Sequence, residues 1–334
     1  MVTSNDVARH VGLSQTTVSR ALRGDASVTP KTRDRVLAAA RELGYVPHSA
    51  ARTLVTRRSR AVGVVVADLS SPIYPVIVES LQGRLDECGY RMILIRDPDE
   101  PGFENATDVL TSATVDGMLF VSARDNSAAV RLATERGVPV VLLSRDDSSV
   151  TTDVVLSDDR AAGELVVAHL VEWGHERIGV LSTPRDRSNG RDREDGVREA
   201  LRRRGMQVRE EWIKRTSFGH ADAVRAACEI LREPEAPTAL FCVADSFAFA
   251  VLDAAHQLGL RVPEDLSVVG FDDSEPSRWS FVRLTTVHQP IREMSCEAVD
   301  RLVSRIETSG THQPTTRVFP VTLRERATVA RPAR

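Results

Sequence analysis

Lysine is nearly missing from this 334-residue chain: Lys31 and Lys214 stand alone among 44 basic residues, so arginine carries the positive charge. That bias points to a GC-rich coding genome and to no function. Cysteine is scarce too. Cys88, Cys228, Cys242 and Cys296 lack metal-ligand spacing, which leaves reduced, mostly buried thiols in a cytosolic chain. No apolar run approaches the ~20 residues of a membrane-spanning helix. Met1 leads directly into a folded module, so no signal peptide is expected. The chain has no G-x-S-x-G elbow, Walker loop or dinucleotide fingerprint, and neither catalysis nor a cofactor is expected. Asp272-Asp273 could be drawn as acid and base, but adjacent carboxylates in a strand-end turn more often cap and contact a ligand. The sequon at Asn105-Ala106-Thr107 is never presented for glycosylation in a cytosolic chain. No leucine heptads follow Ile306, which argues against a tetramerising coiled coil.

What is present begins at the amino terminus. Thr3 and Ser4 precede Asn5-Asp6, a helix start with acid in its first turn. Val7, Ala8 and Val11 follow at helical spacing until Gly12 breaks the pattern. Ser14 caps a second helix, Gln15–Leu22, with Val18, Ala21 and Leu22 on one side and Gln15, Thr16, Ser19 and Arg20 on the other. Thr29 and Pro30 open a third, with an apolar stripe of Val36, Leu37, Ala40 and Leu43 ending at Gly44. The polar face of the second helix suits the major groove. Arg20 can donate a bidentate pair to guanine, Gln15 can pair with adenine, and Thr16 can offer its methyl to thymine. Thr17 and Ser19 suit phosphates. Taken alone, the segment also fits a solvated helix in an ordinary bundle. Charge favours the groove: residues 1–60 carry eleven basic and four acidic side chains, net +7, on a chain of −3 overall. A basic head on an acidic body fits phosphate contact at one end.

The segments NDVARHVGLSQTTVSRAL and YVPHSAARTLVTRRSRAVGVVV, followed in order by VDGMLF, WGHERIGVL, PTALFCVAD, LGLRVPEDLSVVGFDD and LTTVHQP, resemble the LacI/GalR family of bacterial transcriptional repressors nearly end to end. The resemblance implies an α/β protein: a small all-α helix-turn-helix head and a two-lobed, doubly wound body like a type I periplasmic binding protein. It places the head at 1–46, a hinge helix and linker at 47–60, and the body at 61–334. The first lobe would take about 61–159 and 290–320, and the second about 160–289 and 321–330. Ser49–Leu54 would form a hinge helix paired with its dimer mate in the minor groove. There Ala50 and Ala51 would lie on the groove floor and Leu54 would wedge between base pairs. His48 departs from the usual asparagine cap.

The body supports this organisation independently. Apolar runs at 61–67, 92–95, 117–121, 138–143, 178–181, 239–243 and 266–270 alternate with amphipathic stretches at 76–88, 160–173, 193–204, 221–231 and 247–258. That alternation predicts parallel sheets covered on both faces. Ligands of such sheets bind beyond the strand carboxyl ends. By the resemblance, Arg193 and Asp272 fall on effector-binding positions, with Ile73, Tyr74, Phe218, Ser144 and Asp245 around them. Ser144 replaces a common aspartate, and Ala244 a common asparagine. The expected protein is a cytoplasmic, nucleoid-associated homodimer. It would read a pseudopalindromic double-stranded operator under control of a small effector, most simply a sugar. An anionic ligand is the rival, since Arg185, Arg187, Arg191 and Arg193 crowd one loop, although acids interleave with them. A solute-binding protein without a DNA role is the alternative for the whole chain, because the body alone would look the same.

Overall fold

The computed structural model describes residues 2–22, 25–45, 58–66, 69–96, 105–111, 114–121, 123–206, 208–308 and 313–333. These fall into two compact units, divided between Ser59 and Arg60. Residues 46–57 lie outside the described set, and with them His48 and the hinge positions Ala50, Ala51 and Leu54.

The first unit holds α1 (Ser4–Val11), α2 (Gln15–Leu22) and α3 (Pro30–Glu42). Thr3 and Asp6 form a reciprocal capping box at the start of α1, which satisfies two otherwise orphaned N–H groups. Gly12 ends the helix at a φ of 64°, in the left-handed region where a side chain would be strained. Ser14 Oγ accepts the Thr17 N–H at 3.1 Å and starts α2. Thr29 accepts from Thr32 at the head of α3, with Pro30 in its first turn. Val7, Val11, Val18, Ala21, Val36, Ala39 and Ala40 make most of a small shared core. The buried stripe of α3 includes Ala39, whereas Leu37 is half-buried. Leu13, Leu22 and Leu43 pack at the margin of this core.

The second unit contains two six-stranded sheets. The first is built from β1 (Ala61–Val66), β2 (Arg91–Arg96), β3 (Gly117–Phe120), β4 (Val140–Leu143), β5 (Asp153–Ser157) and β11 (Thr316–Phe319). Its helices are α4 (Ile73–Glu87), α5 (Asn105–Thr111), α6 (Ala128–Glu135) and α11 (Ile291–Glu307). The second sheet has β6 (Ile178–Ser182), β7 (Ile213–Arg215), β8 (Ala239–Cys242), β9 (Ser267–Asp272), β10 (Thr285–His288) and β12 (Thr322–Arg324). Around it run α7 (Asp159–Glu172), α8 (Ser188–Arg203), α9 (His220–Leu231) and α10 (Asp245–Gln257). Strand orders are β11-β5-β4-β3-β1-β2 and β12-β10-β9-β8-β6-β7, parallel except for the β10–β12 pair. The chain thus passes between sheets three times: after β5, after β10 and after β11.

Central strands are continuous apolar runs because both faces are covered. β1, AVGVVV, is buried at every position. One face of its sheet packs on α4 and α11 through Leu81, Leu85, Met294 and Leu302, and the other on α5 and α6 through Leu110, Val130 and Ala133. β2, β7, β11 and β12 lie at or near sheet edges and carry polar or charged positions. This is why β7, β11 and β12 escape a search for apolar runs. β5 and β10 escape it because each mixes polar with apolar residues. His175 joins sheet to tail: its ring nitrogens bond Thr238 Oγ1, Ser267 Oγ and the Ala330 carbonyl. Burial holds its pKa below the ordinary histidine range.

Candidate functional site

Loops at the carboxyl ends of both sheets converge on one cavity. Val121, Ser144 and Arg145 approach from the first sheet, Thr183, Phe218, Val243, Ala244 and Asp272 from the second, and Gln289 from the crossing between them. Ser71 just before α4 and Ile73, Tyr74 and Ile77 within it, with Asn189, Gly190 and Arg193 of α8, complete the wall. This is the place where open α/β sheets bind ligands. Six of the seven expected effector contacts are brought together here: Ile73, Tyr74, Ser144, Arg193, Phe218 and Asp272.

Arg193 is 3% exposed. Its Nε donates to Asp159 Oδ1 at 2.8 Å and its Nη1 to the Val243 carbonyl at 2.7 Å. The guanidinium also lies 3.3 Å from the centroid of Phe271, a cation–π contact made stronger by desolvation. Asp159 also accepts from Ser157 Oγ at 2.9 Å, yet burial outweighs these partners and pushes its pKa up. Arg193 therefore reaches the cavity with its charge already matched, within a buried pair and not a surface network.

Asp272 accepts Gln289 Nε2 at 2.8 Å. Burial, then the nearby charge of Asp245, raises its carboxyl well above the ordinary range, against the pull of Arg193 and Gln289. Its backbone has φ 128°, and Asp273 beside it has φ 54°. Ser144, across the cavity, has φ 66°. Left-handed non-glycine residues cost of order 1–3 kcal/mol each and gather at ligand sites. Three buried oxygens of the wall, Ser144 Oγ, Thr183 Oγ1 and Gln289 Oε1, have no hydrogen-bond partner. A buried polar atom left so costs about 1–3 kcal/mol, which a ligand hydroxyl or amide could recover.

Asp245 is placed differently from expectation. It does not line the cavity but lies behind its wall, fully buried at the start of α10. Ser274 donates to it through both N–H (2.8 Å) and Oγ (2.7 Å), and Thr286 Oγ1 at 2.6 Å. Its lone pairs are committed to holding the strand-end turn that carries Asp272. Phe218 stacks on Phe247 (centroids 5.1 Å, 23° between planes) and lies under the Arg187 guanidinium at 5.1 Å. Half-buried, it offers a partly covered aromatic plate to the cavity.

Thr183, Val243 and Gln289 were not nominated from sequence. The first two follow strands already legible as apolar runs, so the strand-end rule alone could have found them. Gln289 carries no such signal, because its place depends on a crossing between sheets. The cavity holds only about 40 Å³, room for a few waters. Larger hollows of about 360 and 380 Å³ exist on the body. The first gathers none of the three unpartnered oxygens, and the second, which shares Ile73, Asp272 and Gln289 with the cavity, has only the Gln289 one.

In the head, Gln15, Thr16 and Arg20 are exposed on α2, and Ser19 is half-buried beside them. Gln15 Nε2 rests on Ser4 Oγ at 3.2 Å. Ser14 Oγ and Thr17 Oγ1 share a hydrogen bond of 2.8 Å, so these two hydroxyls organise the helix start. The described residues contain no cluster of metal-ligating side chains and no helix long and apolar enough to cross a membrane.

Comparison with known proteins matches residues 3–48 to the model described as bacterial regulatory proteins, lacI family, and residues 167–329 to a periplasmic binding protein-like domain. A relative from Erwinia tasmaniensis, the HTH-type transcriptional repressor PurR, is 33% identical, covering 99% of this chain and 97% of its own. The HTH-type transcriptional regulator DegA of Bacillus subtilis is 32% identical over 87% of this chain and 88% of its own. Among solved structures, the lac repressor dimer bound to operator and the anti-inducer ONPF superposes with a TM-score of 0.87 at 29% identity, covering 98% of this chain and 99% of that one. The CelR–cellobiose complex matches at 31% identity and a TM-score of 0.74, covering 98% of this chain and 100% of that one. A solute-binding role without DNA is thereby set aside: the chain belongs to the LacI family and is a DNA-binding transcriptional repressor.

Proposed function

We propose that two copies of this chain read the halves of a pseudopalindromic operator, and that a neutral, sugar-like effector in the cleft controls their grip. In this reading residues 1–46 are the reading head, 47–60 the hinge and linker, and 61–334 the two-lobed sensor, acting in the cytoplasm at the nucleoid. Gln15, Thr16 and Arg20 meet base edges and Ser14, Thr17 and Ser19 the backbone. Ala50, Ala51 and Leu54 enter the minor groove. The single observation that carries the effector assignment is the meeting of Ser144 Oγ, Thr183 Oγ1 and Gln289 Oε1, all unpartnered, with the Phe218 plate in one wall. Hydroxyls answer the oxygens and a C–H face answers the ring. A phosphate is disfavoured because Arg193 is already neutralised by Asp159. The related CelR structure holds cellobiose.

A second copy is the natural cover for an exposed aromatic pair. Phe281 is 82% exposed and Trp279 46%, with ring centroids 5.7 Å apart. The similar lac repressor is a dimer on its operator, and protein two-fold symmetry is mirrored in a palindromic site.

A thermal-shift screen of sugars and sugar phosphates tests the effector assignment. A ligand at a hundred times its dissociation constant adds about 2.7 kcal/mol to apparent stability. Shifts from neutral sugars, lost in Asp272→Ala or Arg193→Ala while operator binding persists, are expected. Shifts from phosphorylated compounds alone would overturn the neutral assignment.

A further inference from the structure

The cleft is closed at its rim by contacts that use neither the effector cavity nor the lobe crossings. Arg191, on α8, pairs with Asp125 in the loop after β3. Arg124, in that same loop, pairs with Asp186 in the loop before α8 at 3.4 Å. The two pairs are reciprocal: each side of the cleft contributes one arginine and one aspartate. A backbone bond runs between them, from the Asp125 N–H to the Asp186 carbonyl at 2.9 Å. A further cross-cleft bond joins the Asp146 N–H, after β4, to Ser188 Oγ at 2.8 Å.

Both sides are built in advance. Asp147, fully buried, accepts the N–H groups of Asn126 and Ser127 at 3.0 Å each. That fixes the turn presenting Arg124 and Asp125, with Asn126 at a φ of 63°. On the other side, Arg191 Nη1 also donates to the Arg185 carbonyl at 3.1 Å. Arg185 is in turn held by Asp195 at 3.0 Å. Asp192, one residue on from Arg191, is occupied by Arg160 at 3.2 Å.

We propose that Arg124–Asp186 and Arg191–Asp125 form a clasp that holds the cleft shut, so that opening it depends on salt even when the ligand carries no charge. The four side chains are 22–41% exposed, where dissolved ions reach them and screening is effective. The Debye length falls from about 10 Å at 0.1 M salt to about 3 Å at 1 M. The small cavity behind the clasp, about 40 Å³, cannot admit a sugar without opening. Salt therefore acts on the closed state before any ligand contact forms. The consequence for effector entry rests on the cleft being the effector site; the clasp itself does not.

The test needs no effector. Hydrogen–deuterium exchange of the full-length protein at about 0.1 M and about 1 M NaCl reads the amides of Asp125 and Asp146, whose acceptors lie across the cleft. Exchange of both is expected to rise about three- to tenfold in high salt, given exposed pairs of ordinary strength. The Val121 amide, bonded within its own sheet to Val65, is expected to change little. Asp125→Asn should accelerate the same amides in low salt and shrink the salt response. The exchange of charges in Asp125→Arg with Arg191→Asp should restore protection. Equal salt response at all three amides, or no effect of Asp125→Asn, overturns the clasp. If the clasp holds but no sugar shifts the melting temperature, the fault lies with the effector assignment.

Discussion

Asp245 and Asp272 share one buried region yet serve different ends. Asp245 spends its lone pairs on Ser274 and Thr286, whereas Asp272 faces the cavity with Gln289 as its side-chain donor. Burial and the neighbouring carboxylate raise the Asp272 pKa above its unfolded value, so the folded chain holds that proton more tightly than the unfolded chain. The resulting stability is complete below an unfolded pKa of about 4 and is lost as pH rises through the raised folded value. Asp272→Asn cannot titrate there. The melting temperature of the parent should therefore fall relative to the Asn variant between pH 4 and 8; a constant difference across that range would contradict it. On the head, Arg20→Ala should relax preference at one base pair per half-site, costing about 1–3 kcal/mol. An unchanged motif in a random-sequence selection would count against the base contact. Both positions were legible beforehand, by motif and helical wheel. Asp245 was misplaced because sequence adjacency to a cleft residue does not tell lining from backing.

At the scale of elements, α7 and α8 cross at two glycines. A Cβ on Gly163 would sit 2.3 Å from Gly196 C and Val197 N, and one on Gly196 would sit 2.4 Å from the Arg160 carbonyl. The helices touch backbone to backbone, and no rotamer can relieve the overlap. Gly163→Ala should cost about 1–3 kcal/mol or more by forcing them apart. Gly83→Ala, at an exposed position of α4 with nothing within 4 Å, should instead gain about 0.5–1 kcal/mol from lost unfolded-state freedom. Urea unfolding of the two variants separates them, and similar midpoints would refute the close crossing. The central strands of both sheets could be seen in sequence because two covered faces demand unbroken apolar runs. The edge strand β11, TRVF, could not, because three of its four residues are exposed. Nor was α11 apparent, although Met294, Ala298 and Leu302 pack the first sheet.

For the whole molecule, the proposed dimer would cover the exposed Trp279–Phe281 pair. Phe281→Asp should raise the dimer dissociation constant at least about tenfold, a loss of about 1.4 kcal/mol. Operator affinity should fall with it as the second head loses its tether. Sedimentation with the parent's concentration dependence would overturn that face as the interface. A ligand that biases the lobes can shift operator binding by no more than its differential affinity, commonly about 1–3 kcal/mol.

Sequence alone determined the reading head, the alternation of strands and helices, and the residue types at Arg193, Asp272 and Phe218. Each is written locally, in cap, glycine, apolar run or motif. Only the tertiary structure decided that Arg193 arrives already paired with Asp159, that Asp245 stands behind the wall, and that Arg124 and Arg191 find their acids across the cleft. Those partners lie 34, 62 and 66 residues away along the chain, and their meeting depends on the chain passing between two sheets. No local pattern records which lone pairs remain free once that crossing is made.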